Sequence, residues 1–119
     1  MMRILVILLI TFFSGISIAS DAEVLKVKAE LTSAQKYNIS VTVKHADEGW
    51  DHYANAWRVY SVEGELLGER VLHHPHVKEQ PFTRNLLGLR IPSEVTEIRI
   101  VAVCSQTGES NKSYTLKLR

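Results

Sequence analysis

The side chains that could do chemistry are concentrated in the middle of this 119-residue chain. All five histidines and both tryptophans lie between positions 45 and 76. The first group reads His45-Ala-Asp-Glu-Gly-Trp-Asp-His-Tyr53, and Trp57 follows it. The second group reads His73-His-Pro-His-Val-Lys-Glu-Gln-Pro-Phe-Thr-Arg84. Imidazoles, carboxylates and aromatic rings at this density suit either a metal site or a hydrogen-bonded network.

A transition-metal site is the sharpest hypothesis for the histidines, because imidazole is a good ligand for copper, zinc and nickel. His74 and His76 are two residues apart, so in an extended backbone they project to one face, and Pro75 stiffens that presentation. His45 and His52 flank a turn rich in Asp and Gly and can approach the same place. We therefore expect copper or zinc as the bound metal. The predicted ligands are His45, His52, His74 and His76, with His73 as a further candidate.

Polar neighbours of the histidines could orient the imidazoles through hydrogen bonds. The candidates for this supporting role are Asp47, Asp51, Glu79 and Arg84. The alternative is that these residues and the histidines only brace a long loop, with Arg84 paired to one of the carboxylates and no metal bound. The protein would then be a non-catalytic domain that interacts with a ligand or another protein.

Aromatic residues give a third interpretation, a binding surface for a peptide, a sugar or a partner protein. Trp50, Tyr53 and Phe82 are the candidates for such a surface. Trp57 projects to the same face of its predicted strand as Val59 and is expected in the core instead. A metal ion or a periplasmic protein is the expected partner of the domain.

Cys104 is the chain's one cysteine, so no intrachain disulfide can form. It falls on the apolar side of its strand with Ile98, Ile100 and Ala102, which predicts a buried, inert thiol. A blue-copper site combines Cys with two His and usually an axial Met. It is not expected here, because both methionines lie at positions 1 and 2 and no histidine follows Cys104. Catalysis is not expected either, since the chain has no Gly-rich phosphate loop, G-x-S-x-G or H-E-x-x-H motif.

Alternation of apolar and polar residues predicts the elements that must position these groups. About seven short strands cover residues 25–31, 37–44, 53–62, 66–72, 84–90, 97–104 and 114–118. In the first strand Leu25, Val27, Ala29 and Leu31 are expected to share one face. Short strands separated by regular turn signals are typical of an antiparallel sandwich. The sequence therefore predicts an all-β immunoglobulin-like or fibronectin-type sandwich, with a small barrel as the second choice.

The amino-terminal segment predicts export. A basic start at Arg3, an apolar run from position 4 to 13 and small residues after it are the features of a cleavable signal peptide. We expect cleavage after Ala19, with Ala22 as a fallback, which leaves a single domain over residues 20–119. No second apolar span is present, so we expect no stable membrane insertion after cleavage. The mature chain carries equal numbers of acidic and basic residues, so it has no excess positive charge that would attract nucleic acid.

Two strings in the central third of the chain, HADEGWDHYANAW and GERVLHHPHVKEQPFTR, resemble the motifs of a family of small bacterial secreted proteins of unassigned function. The family frame is H-A-D-x-G-W-D-H-Y-A, then W, then L-G-x-R-x-L-x-H-P-H-x-x-E-Q-P-F-T-R. The resemblance covers roughly His45 to Arg84. It implies a bacterial, periplasmic setting, and it marks this segment as the place to look for function.

Overall fold

A computed structural model of the chain describes residues 22–118, and the predicted signal peptide, residues 1–19, lies outside that range. All the regular secondary-structure elements in the described range are β-strands. Residues 22–118 contain no helix of the length and apolarity needed to cross a membrane. The seven strands are β1 Glu23–Ser33, β2 Lys36–Lys44, β3 Ala54–Ser61, β4 Leu66–Val71, β5 Phe82–Arg90, β6 Glu97–Cys104 and β7 Gly108–Lys117.

The strands form two antiparallel sheets, one in the order β1-β2-β5 and the other in the order β4-β3-β6-β7. In the constant-type immunoglobulin arrangement the fourth strand belongs to the sheet of the first two. Here β4 pairs with β3 instead, which gives a division into three and four strands. The two sheets do not join into a closed barrel within the described range, so the predicted β-sandwich is confirmed and the barrel alternative is not.

The core lies between the sheets and follows the alternation of each strand. Trp57 and Val59 of β3 are fully buried, as are Ile98 and Ile100 of β6. Val101, on the other parity of β6, is also buried, so this central strand is covered on both faces as its continuous apolar sequence predicts.

The face of β1 matches the prediction only in part. Val27 is buried and Ala29 packs against the core as expected, but Leu25 is 42% exposed, Leu31 is 58% exposed, and Val24 is buried in place of Leu25. The register of β1 against β2 shifts between Val24 and Lys26. A bulge of this kind inserts one extra residue, and because side chains alternate with a period of two it moves the following residues to the opposite face.

The pairing brings both histidine-containing segments to one end of the sandwich. Val43, near the end of β2, pairs with Phe82 at the start of β5. Ala54, at the start of β3, pairs with Cys104 at the end of β6. The β2–β3 loop, the β4–β5 loop and the end of β6 therefore meet at the same edge of the core.

Candidate metal centre

Two histidines and the cysteine meet at this end of the sandwich. One potential ligand atom from each of His45, His52 and Cys104 lies within 4.8 Å of the other two. The two imidazole rings stand edge to face, with centroids 4.9 Å apart. His45 and Cys104 are each 2% exposed, and the His52 side chain is 12% exposed. The Nε2 atoms of both histidines are buried and have no hydrogen-bond partner.

The β2–β3 loop returns the chain so that His52 lies beside His45. Within this loop the Glu48 N–H donates to the His52 carbonyl at 2.8 Å, and the His52 N–H donates to the Gly49 carbonyl at 3.2 Å. Gly49 has a φ of 131°, which a side chain would disfavour and glycine adopts readily. This tight turn fixes the spacing of the two imidazoles, and the pairing of Ala54 with Cys104 brings the thiol to them.

Asp47 is the residue that organises the centre. Its side chain is fully buried and forms three hydrogen bonds. Oδ1 lies 2.6 Å from His45 Nδ1 and accepts from the Ala54 N–H at 2.9 Å, and Oδ2 accepts from the His76 N–H at 2.7 Å. A carboxylate is an acceptor, so in a neutral His45 imidazole this bond places the proton on Nδ1 and leaves Nε2 as the nitrogen with the lone pair. A carboxylate bonded to the far nitrogen of an imidazole is the arrangement that typically supports metal-ligating histidines.

Gln80 connects the two histidine-containing segments a second time. Its Oε1 accepts from the His45 N–H at 3.0 Å, and its Nε2 donates to the His76 carbonyl at 3.0 Å. Together with Asp47, these bonds hold the β2–β3 and β4–β5 loops as one unit. The hydrogen-bonded network considered in the sequence analysis is therefore present, and it surrounds the His45 imidazole.

Electrostatics favour the ligating form of the thiol. Burial acts to raise the pKa of Cys104, but hydrogen bonds from the Thr107 hydroxyl and from the backbone of Thr107 and Gln106 outweigh it and lower the pKa to about 7. The thiolate is the form that binds metal. For His52, burial acts to lower the pKa, but contacts with Glu48 and Cys104 outweigh it and leave the pKa raised.

The imidazoles of the β4–β5 loop do not belong to the group of ligand atoms around Cys104. His73 and His74 are exposed, whereas His76 is buried. His76 stacks on Phe82 with ring centroids 4.0 Å apart, and Arg84 Nη2 lies 2.9 Å from its Nε2. Burial and the neighbouring Arg84 charge lower the pKa of His76. The His74 and His76 rings do lie together, 4.6 Å apart, but neither belongs to the group of ligand atoms around Cys104.

The remaining sequence candidates have distinct surroundings. Asp51 is exposed, and Glu79 lies 3.6 Å from Arg84. Phe82 is a core residue at 2% exposure, so it does not form an exposed surface with Trp50, which is 68% exposed. Tyr53 contacts Trp50 instead, edge to face at 5.9 Å.

Cys104 is the member of the centre that the sequence analysis did not include. The alternation of apolar residues along β6 correctly predicts that Cys104 is buried. It does not predict the β3–β6 register, which places the end of β6 beside the start of β3. The absence of a histidine after Cys104 also does not prevent a His₂Cys set, because both imidazoles come from residues that precede it.

Comparison with known proteins gives one partial match. A curated protein of Halomicrobium mukohataei, described as "Putative lipoprotein", is 38% identical to the chain over 65 residues. Those residues are 55% of the chain and 32% of the relative, so the chain spans about a third of the length of this curated protein. No protein-family profile and no solved structure matches the chain.

Proposed function

We propose that the chain is an extracytoplasmic metal-binding protein whose sandwich holds one transition-metal ion, copper or zinc, between His45, His52 and Cys104. The observation that carries the proposal is the pair of buried, unpartnered Nε2 atoms beside a buried thiol. A buried polar atom without a partner costs about 1–3 kcal/mol. A bound ion would supply the missing partner to both nitrogens at once.

The donor set fits this class of ion. Zinc binds imidazole nitrogen at about 2.0–2.1 Å and thiolate sulfur at about 2.3 Å, and copper accepts the same ligands. Ligand atoms around such an ion lie between about 3 and 4 Å from one another. The three donor atoms here, within 4.8 Å of one another, would need to move inward only slightly. His52 can make this adjustment, since its side chain is the least buried of the three.

The proposed location is the periplasm or its equivalent outside the cytoplasm. The predicted signal peptide supports export, and the relative described as a lipoprotein is consistent with a position at the cell envelope. Disulfides form readily in such compartments. Burial of Cys104 would protect the single thiol from pairing between molecules until metal is bound.

A second candidate function is an interaction domain, and the exposed Trp50 is the observation that favours it. A tryptophan that is 68% exposed and packed against Tyr53 offers a rigid aromatic contact to a partner. In this case Asp47 and Gln80 would brace the loop that carries Trp50, and the centre would need no ion.

Metal titration of the mature protein, residues 20–119, separates the two functions. We expect one equivalent of Zn(II), or of Cu(I) under anaerobic conditions, to bind and to stabilise the fold, by about 2.7 kcal/mol when free metal is a hundred times the Kd. Cys104→Ser and His52→Gln should remove this stabilisation. The matched control is the double variant His73→Ala/His74→Ala, which alters two exposed imidazoles and should retain it.

Two results would contradict the proposed site. One is the absence of any stabilisation by Mn(II), Fe(II), Co(II), Ni(II), Cu(I) or Zn(II) near neutral pH. The other is stabilisation that survives in Cys104→Ser and disappears in His73→Ala/His74→Ala, which would move the site to the β4–β5 loop.

A further inference from the structure

From the same three donors we infer that the ion is copper and that the centre is a one-electron redox site, cycling between Cu(II) and Cu(I). This inference rests on the proposed function and narrows it. Two imidazoles and one thiolate form the donor set of blue-copper sites, which the sequence alone did not lead us to expect. The fourth ligand of such sites is weak and distant and need not be a methionine.

A structural zinc site would need a fourth protein ligand, which the His, Cys, Asp and Glu residues among residues 22–118 do not offer. Asp47 is the carboxylate nearest to the histidines, and its two oxygens already accept from His45, Ala54 and His76. The group of His, Cys, Asp and Glu ligand atoms identified within residues 22–118 stops at three members. A structural zinc site is almost always closed by four protein ligands. A three-donor set of this composition therefore suits copper better.

The charge of the buried set accommodates both oxidation states of copper. One thiolate and two neutral imidazoles carry a single negative charge, so Cu(I) makes the centre neutral. Cu(II) leaves one positive charge, and a buried charge is costly unless it is paired. The Asp47 carboxylate, one hydrogen bond away through the His45 imidazole, would offset it.

The donors are held by bonds that do not depend on the ion. Asp47 fixes the His45 ring, and the bridge between Gly49 and His52 fixes the return of the loop. Cys104 lies between two paired strands, opposite Ala54 on one side and Gly108 on the other. Donors that are positioned in advance move little when the metal changes oxidation state. Hydrogen bonds from Thr107 to the sulfur would tune the reduction potential.

Electrons would reach the ion through His52, whose side chain is the least buried of the three ligands. The donor is a one-electron reductant at the protein surface. It gives one electron to Cu(II), which becomes Cu(I), and the donor is oxidised by one electron. The thiolate stays bound, so no bond breaks and no proton moves.

The test uses the mature protein loaded with one equivalent of Cu(II), with ascorbate as the reductant and ferricyanide as the oxidant. We expect an intense visible absorption band from thiolate-to-copper charge transfer, bleached by ascorbate and restored by ferricyanide over repeated cycles with copper retained. Cys104→Ser should not develop this band when Cu(II) is added. Trp50→Ala, which alters an exposed residue of the same loop, should keep the band.

The failures of this inference and of the proposed function are distinguishable. Stoichiometric zinc binding that equimolar Cu(I) does not displace would overturn the copper assignment and leave the metal site intact. Irreversible loss of the titratable thiol after one cycle would overturn the redox role in the same way. No binding of any metal would refute both.

Discussion

Replacement of Asp47 tests whether the centre is one cooperative unit. Its carboxylate is fully buried and serves the His45 imidazole and the backbone N–H groups of Ala54 and His76. These donors come from the β2–β3 loop, from the start of β3 and from the β4–β5 loop. Asp47→Ala would leave all three without an acceptor and would detach the two loops from each other.

The expected loss of stability follows from counting these donors. Each buried donor left unpaired costs about 1–3 kcal/mol. Asp47→Ala leaves three such donors, so we expect it to lower the free energy of unfolding by at least about 3 kcal/mol, a large part of the roughly 5–15 kcal/mol of a typical domain. Asp47→Asn should cost less, because its amide oxygen can still accept a hydrogen bond. Some loss of stability should remain, because its NH₂ group would face another donor.

Urea denaturation of metal-free mature protein measures this loss. Asp51→Asn is the matched control, since Asp51 lies in the same loop and is exposed, and it should change stability by less than about 0.5 kcal/mol. If Asp47→Ala were as mild as Asp51→Asn, the three hydrogen bonds would not hold the site. In metal titrations, Asp47→Asn should weaken binding by about 10–100-fold, as is usual when the carboxylate behind a ligating histidine is lost.

Three further predictions concern the rest of the domain. Burial lowers the pKa of His76 from its ordinary value of 6.5, so the folded state loses stability as the pH falls below 6.5. In urea melts at neutral and at mildly acidic pH, His76→Gln should lose less stability between the two conditions than the wild type. A Cβ on Gly68 would lie 2.6 Å from Cδ1 of Leu89 in the opposite sheet, at the movable end of a partly buried side chain, so Gly68→Ala should cost no more than about 1 kcal/mol, and a double-mutant cycle with Leu89→Ala should remove most of that cost. A hydrogen bond from Tyr60 lowers the pKa of Glu109 from its ordinary value of 4.5, so its stabilisation is present above that value and lost in acid. In thermal melts Glu109→Gln should be less stable than wild type at neutral pH, and the difference should shrink as the pH falls below 4.5.

Strand positions could be predicted from the sequence because alternation records which face is buried. β3 and β6 follow this pattern closely, with Trp57 and Ile100 inward. The face of β1 could be predicted at Val27 and Ala29 but not at the start of the strand. A bulge after Val24 places both Val24 and Val27 on the buried side and leaves Leu25 outside it, and a bulge depends on pairing with β2 rather than on the strand's own residues.

The centre could be predicted in part. The spacing of His45 and His52 across an Asp- and Gly-containing turn indicated that they could meet, and Asp47 was among the residues expected to support them. The thiol could not be included, because its approach depends on the register that places Cys104 opposite Ala54. The two-residue spacing of His74 and His76 does bring their rings together, but Phe82 and the Arg84 guanidinium already occupy the surroundings of His76.

The position of the centre within the sandwich connects binding to stability. His45 follows β2 of one sheet, and Cys104 ends β6 of the other. In antibody domains the strands at these two places in chain order carry the disulfide that joins the sheets, packed against a tryptophan of the third strand. Here Trp57 of β3 is buried in the core, but the chain has a single cysteine and cannot form an intrachain disulfide. An ion held by His45 and Cys104 would join the two sheets in place of that bond. Metal loading should therefore slow the separation of the sheets as well as fill the site. Both the unfolding rate and the rate at which a thiol reagent labels Cys104 should fall when metal is bound.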